Sequence, residues 1–167
     1  MTDLPAGPPA HVQRGLWFEE FAVGARYLHR PGRTVTQADN QLFSALTMNP
    51  QALHIDEAYA ATQPFGRPLV NSMWTLSTLI GASVAQLTQG TLVAQLGLTD
   101  IAFPAPLFPG DTLYAETRVA GARLSASRPG QGIVTLEHTG RNQHGVVVAT
   151  ATRAALMLCR PTEEETA

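Results

Sequence analysis

Val70 to Leu87 contains no proline and carries Met73, Trp74, Leu76, Leu79, Ile80, Val84 and Leu87 on nearly every face of a helix. A helix that is apolar all round belongs in the middle of a core, so the rest of the chain has to wrap it. The chain beyond Leu87 is strand-like. Residues 91–103 are rich in β-formers, and Pro104, Pro106 and Pro109-Gly110-Asp111 punctuate a turn. Thr112 to Arg123 alternates, with Leu113, Ala115 and Val119 opposed to Tyr114, Glu116 and Arg118. Gly130-Gln131-Gly132 breaks the pattern before Ile133 to Arg141, and Asn142-Gln143-His144-Gly145 reads as a hairpin turn into Val146 to Leu158. One long buried helix followed by a meander of antiparallel strands predicts an α+β domain.

The N-terminal part adds shorter pieces. Tyr27 to Arg30 is strand-like and is expected to end at Pro31-Gly32. Thr36-Gln37-Ala38-Asp39 has the form of a capping box, and Leu42, Phe43 and Leu46 follow at helical spacing. A helix over 37–47, stopped by Pro50, is the expectation. Asp56 is expected to cap a further short helix over 57–62. Residues 1–14 and 161–167 read as flexible ends, the first rich in Pro and Gly and the second in Glu, leaving one domain over 15–160.

Bulk composition narrows the function classes. A net charge of -2 offers nothing to the phosphates of nucleic acid or of a membrane surface. No window approaches the roughly 18 uninterrupted apolar residues of a membrane span, and the N-terminus lacks the regions of a signal peptide. A single cysteine, Cys159, excludes an internal disulfide, and a reducing cytoplasm is the expected setting. With only 14% of residues charged, part of the surface is expected to be hidden in an oligomer. His11, His29, His138 and His144 show no metal-ligand spacing, and no phosphate-binding loop or dinucleotide fingerprint occurs. No metal and no cofactor are expected. Trp17 and Trp74 read as packing residues, and Asp111 as a turn residue.

The residues able to carry chemistry gather in Phe43-Ser-Ala-Leu-Thr-Met-Asn49-Pro-Gln-Ala-Leu-His54-Ile-Asp56. An imidazole can hold or release a proton near neutral pH, which suits His54 to acid–base work; a buried structural histidine is the bland alternative. The Asn49 amide does not titrate, but its carbonyl can orient a water molecule, or else shape the Asn-Pro turn.

These residues carry a resemblance. The stretch Leu46 to Asp56 is similar to the hydratase motif of MaoC-like dehydratases and (R)-specific enoyl-CoA hydratases, Ser/Thr-Gly-Asp-x-Asn-Pro-Leu-His-x-Asp. Phe65-Gly-Arg-Pro68-Leu-Val-Asn71-Ser72-Met73 resembles the family's Phe-x-x-Pro-Ile-Val-His-Gly-Met, and Phe103 to Asp111 its Phe-x-x-Pro-Val-x-x-Gly-Asp. The likeness covers roughly residues 17–159. His54, Asp56, Pro68 and Met73 match. Asn49 stands where the family has its catalytic Asp, Met48 replaces a Gly, Gln51-Ala52 replaces Asn-Pro, and Asn71-Ser72 replaces His-Gly.

The resemblance implies a hot-dog fold, an antiparallel sheet wrapped round one central helix, and a homodimer with its sheets joined edge to edge. It implies reversible hydration of a 2-enoyl thioester, on CoA or an acyl carrier, to the 3-hydroxyacyl product. His54 would move protons, Asn49 orient water, and the Ser72 amide hold the thioester oxygen, with Asn71 and Pro68 beside the substrate. Such a donor is worth about 3–4 kcal/mol in the transition state, although a plain helix-capping Ser would use the same geometry. The competing expectations are a hot-dog thioesterase, which needs a carboxylate that the Asn49 position lacks, and an acyl-thioester-binding protein without activity.

Overall fold

The computed structural model describes residues 12–162; of the expected ends at 1–14 and 161–167, residues 1–11 and 163–167, and His11 with them, lie outside the described residues. Five antiparallel strands make one sheet: β1 (Arg26–Thr34), β2 (Leu92–Ala102), β3 (Thr112–Leu124), β4 (Gln131–Arg141) and β5 (Val147–Leu158), in the order β1-β3-β4-β5-β2. Three short helices, α1 (Gln37–Leu46), α2 (Ala52–Ile55) and α3 (Glu57–Ala61), lead to the long α4 (Ser72–Leu87), which packs on β1, β3, β4 and β5. This is the α+β hot-dog arrangement.

Several expectations need correction. Only β3, β4 and β5 form the meander. β2 pairs with β5 at the far edge, and the connection from Phe103 to Asp111 carries the chain over to β3. Its three prolines have no N–H for a ladder, so a β2–β3 hairpin is unavailable there. β1 continues through Pro31-Gly32 to Thr34, with a slip in its register to β3 between His29 and Arg33. An edge strand tolerates a proline because one side of its backbone is unpaired anyway. Gly132 lies inside β4 rather than before it, and the Phe18 ring occupies the place a Cβ would take.

The helices also depart from their patterns. α1 begins with the expected capping box: the Thr36 hydroxyl accepts from the Asp39 amide at 3.0 Å, and the Asp39 carboxylate accepts from the Thr36 amide at 2.9 Å. It ends at Leu46, ahead of Pro50, where Met48 turns into the left-handed region. Its inward side is the polar one: Asn40 and Ser44 are buried, while Leu42 and Leu46 are exposed. Of the three apolar residues in the 3.6-residue pattern, Phe43 packs against the core, while Leu42 and Leu46 mark a face that another surface would cover. α4 is likewise buried on one side only. Trp74, Leu76, Leu79 and Leu87 face inward, while Ser77, Gly81, Ala82 and Ala85 are open. A single sheet can cover one side of a helix, and the open side carries mostly small residues.

The core is divided. One apolar cluster holds Trp74 and Leu79 of α4 with Leu113, Ala115 and Ala149. The other holds Leu87 with Val119, Val134, Leu136, Ala155 and Met157. Between them along the strands lies a buried polar belt: His29, Thr117, His138 and Arg153 on four adjacent strands, with Ser83 at the same level of α4.

Candidate active site

The short segments between β1 and α4 are joined by polar side chains. Asn40, fully buried, is the hub. Its Nδ2 donates to the carbonyls of His54 at 3.0 Å and Leu69 at 2.9 Å, and its Oδ1 accepts from the Asn71 amide at 2.8 Å. Asn71 caps α4. Its Oδ1 accepts from the Met73 amide at 3.0 Å, and its Nδ2 donates to the Ser44 hydroxyl at 3.2 Å. Three pieces of chain, around positions 40, 54 and 70, are thereby held to one another at named atoms.

His54 sits on α2, half-buried. Its Nδ1 meets the Leu69 carbonyl at 2.9 Å. A carbonyl can only accept, so Nδ1 carries the proton. In the neutral ring Nε2 then has the free lone pair, and among the described residues it has no partner. This is the tautomer a base needs.

Ser72 is the first residue of α4, with Asn71 as the cap. The first amides of a helix lack intrahelical acceptors. Asn71 Oδ1 takes the Met73 amide, while the Ser72 amide has no partner among the described residues. Ser72 borders a cleft of about 300 Å³ whose walls include Phe65, Leu69, Thr75, Phe103, Leu107 and Val148. An unpartnered amide at the positive end of a sixteen-residue helix attracts developing negative charge.

Asn49 stands apart from that cleft. It borders a separate hollow beside α1, with Ser44, Met48, Pro50 and Ile55. Its Oδ1 accepts from the Gln51 amide at 3.1 Å, a side-chain turn two residues long. One lone pair is thus committed to the turn and one is left for a water. The structure therefore brings Ser72, and through Leu69 the orienting partner of His54, to one cleft. It does not bring Asn49 into it. Asn71 is 2% exposed and spends both ends of its amide inside the protein. Pro68 is half-buried next to Leu69.

Asn40 and Ser44 were not expected as part of the site. Their signal is two polar residues four apart on one side of a helix whose apolar residues lie elsewhere, which becomes legible once the inward side is known. Asp56 caps α3 as expected, accepting from the Tyr59 amide at 2.9 Å, and Asp111 accepts from the Phe108 amide in its turn.

The buried belt sets two histidines beside Arg153, whose Nε and Nη1 are buried without a hydrogen-bond partner among the described residues. Burial, with the Arg153 charge and then His29, pushes the His138 pKa down to about 3, so the ring is neutral. Its Nδ1 and the His29 Nε2 both meet the Thr117 hydroxyl, at 2.9 and 2.8 Å. Burial also lowers the pKa of His29, against the opposing effect of Gln86. Among the described residues no group of His, Cys, Asp and Glu could hold a metal ion, and no helix is long and apolar enough to cross a membrane.

The fold is that of a hot-dog domain, with an unpartnered amide at the head of α4. A profile of the MaoC-like domain matches residues 19–142, and the chain belongs to that family. It is 29% identical to a mesaconyl-CoA hydratase of Cereibacter sphaeroides over 89% of this chain and 43% of the relative. With an (R)-specific enoyl-CoA hydratase of Aeromonas caviae it shares 36% identity over 52% of this chain and 63% of the relative. A protein of Mycobacterium tuberculosis described as a double hot-dog fold superposes with a TM-score of 0.78 and 25% identity, over 88% of this chain and 45% of that one. The chain thus spans less than half the length of the mesaconyl-CoA hydratase it matches.

Proposed function

We propose that this domain catalyses reversible addition of water to a 2-enoyl thioester. The observation that carries the reading is the unpartnered Ser72 amide at the head of α4, in a cleft whose wall residue Leu69 also fixes the His54 tautomer. His54 Nε2 takes a proton from water as the oxygen bonds to Cβ, and the double-bond electrons move towards the thioester oxygen. The Ser72 N–H donates to that oxygen while it is enolate-like. The proton is returned to Cα, so that the net change is addition of H and OH. Asn49 borders a neighbouring hollow whose lining includes Ile55, next to His54 in the chain, and from that side its free lone pair orients the water; Asn71 and Pro68 shape the substrate's surroundings by holding the helix end.

Named relatives that act on CoA thioesters support this class of substrate. A second copy of the chain completes the assembly. The long edge strand β2 exposes Leu96 and Ile101, next to Phe103, and the open sides of α1 and α4 expose Leu42, Leu46 and Met73. An unpaired apolar edge invites a partner strand, and the double-length neighbour shows two such folds in one chain. The homodimer works in a reducing cytoplasm, consistent with the free Cys159.

Ser72→Pro tests the amide. Proline is favoured at the first position of a helix, where its missing N–H breaks no intrahelical bond. Asn71, at φ -56° and ψ 124°, already has the conformation a following proline requires. The variant should fold and lose roughly 10²–10³-fold in kcat for crotonyl-CoA, while Ser72→Ala, which keeps the amide, stays within a few-fold. Full activity in a folded Ser72→Pro would overturn the role.

A further inference from the structure

Within the segments that line the cleft, residues 65–75, 103–107 and 148, one residue is charged: Arg67. Its guanidinium is not committed to the protein. It lies over the Phe108 ring, 3.7 Å from the centroid, and among the described residues its N–H groups have no hydrogen-bond or ion-pair partner. By contrast Arg14, Arg26, Arg33, Arg118 and Arg160 each close on a carboxylate. The carboxylate nearest in sequence to Phe108 is that of Asp111, and it is occupied. Its Oδ2 accepts from the Phe108 amide at 2.9 Å and its Oδ1 from Gln143 at 2.7 Å.

The ring beneath Arg67 is itself held. Phe65, a wall of the cleft, meets Phe108 edge-on with centroids 6.0 Å apart and planes at 66°. Arg67 is therefore linked to the cleft through two rings, Phe108 and the wall residue Phe65. A guanidinium lying flat on an aromatic face keeps its donor edge free and loses little further freedom when it grips two oxygens of a phosphate.

We propose that Arg67 binds the phosphate at the far end of the pantetheine arm that carries the thioester. The inference rests on the thioester reading above and extends it from the reacting end of the substrate to the handle. Two sources share this chemistry: CoA, with a diphosphate and a ribose phosphate, and an acyl carrier protein, whose arm ends in one phosphodiester.

The test is equilibrium binding by calorimetry of CoA, 4′-phosphopantetheine and pantetheine to the full chain and to Arg67→Gln, an exposed position. The parent should bind CoA about ten-fold or more tighter than pantetheine, the scale of a charge-assisted pair, and Arg67→Gln should close that gap. If 4′-phosphopantetheine binds as CoA does, one phosphate suffices and a carrier arm fits. If it falls to the level of pantetheine, the diphosphate is what Arg67 holds. Equal binding of CoA and pantetheine by the parent, or a gap that survives Arg67→Gln, overturns the proposal. No turnover is read, so the two readings fail separately. A protein that tells CoA from pantetheine yet hydrates nothing sinks the reaction and keeps the site; one that hydrates crotonyl-CoA without that discrimination sinks the site alone.

Discussion

Asn40→Asp exchanges one polar group at the hub of the site and leaves its shape. The aspartate keeps an acceptor for the Asn71 amide, but an oxygen now faces the His54 and Leu69 carbonyls where Nδ2 donates. Protonated, the side chain has one O–H for two carbonyls. Leu69 still receives the His54 ring, so the shortfall is about one buried acceptor, roughly 1–3 kcal/mol. Ionised, it opposes two carbonyl dipoles in a position with no exposed surface. Burial of this kind raises a carboxyl by up to about 3–5 units. Taking about 3 units, at roughly 1.4 kcal/mol each, the ionised form costs a further 4 kcal/mol or so. The folded pKa lies above the unfolded value, so this second cost is absent below about pH 4 and accumulates as pH rises towards about 7. The sum at neutral pH is a large part of the roughly 5–15 kcal/mol that holds a domain together. Urea unfolding followed by the fluorescence of Trp74, a core residue, reads the variant against the parent at each pH. A stability difference that is flat from about pH 5 to 8 would refute the reasoning, because it would mean that position 40 is open to solvent or that the carbonyls have turned away.

His54→Ala should lower hydration of crotonyl-CoA by roughly 10²–10⁴-fold with the circular dichroism unchanged, since Asn40 bonds the backbone at 54 and not the ring; an unchanged rate removes His54 from the chemistry. Asn49→Asp keeps an acceptor for the Gln51 amide, so it should fold, hold or raise hydration, and add an acidic limb to the pH–rate profile. Asn49→Ala should lose activity without moving that profile, and full activity there would leave Asn49 as a turn residue only. The depressed pKa of His138, about 3 in the folded chain against 6.5, stabilises the fold above about pH 6.5 and is lost as pH falls. His138→Asn should flatten the decline measured between about pH 6.5 and 5, above the main carboxylate range, and an undiminished slope would assign it elsewhere.

The sheet was legible because its strands alternate against one wall: Leu113, Ala115 and Val119 are buried as the pattern predicts. The strand order was not, because nothing local to residues 91–103 says whether they pair with the next strand or with β5 at the far edge. Capping residues were legible wherever a side chain serves its own turn, as at Thr36 and Asp56. The hub was hidden for the opposite reason. Asn40 serves residues 14 and more positions away, and the apolar Leu42 and Leu46 draw attention to the wrong side of α1. The motif points to His54, Ser72 and Asn49 alike, and nothing in it says that Asn49 borders a different hollow from Ser72.

The working parts of the site come from one run of chain between α1 and the first turn of α4, and the sheet side supplies only walls such as Phe103, Leu107 and Val148. Apolar packing would fill the same space while tolerating small shifts, whereas hydrogen bonds to named atoms set backbone positions. The Leu69 carbonyl is shared: Asn40 donates to it and so does the His54 ring. The amide of the capping residue next to Ser72 is held by the same Asn40. The proposed base and the proposed oxyanion donor are therefore both tied to one side chain. The Asn49 side chain closes its own turn through Gln51, and only its backbone amide, donating to the Ser44 carbonyl at 2.9 Å, meets that network. The side chain at position 49 can therefore differ without touching the bonds of Asn40, whereas a change at position 40 acts at once on the backbone at 54, 69 and 71.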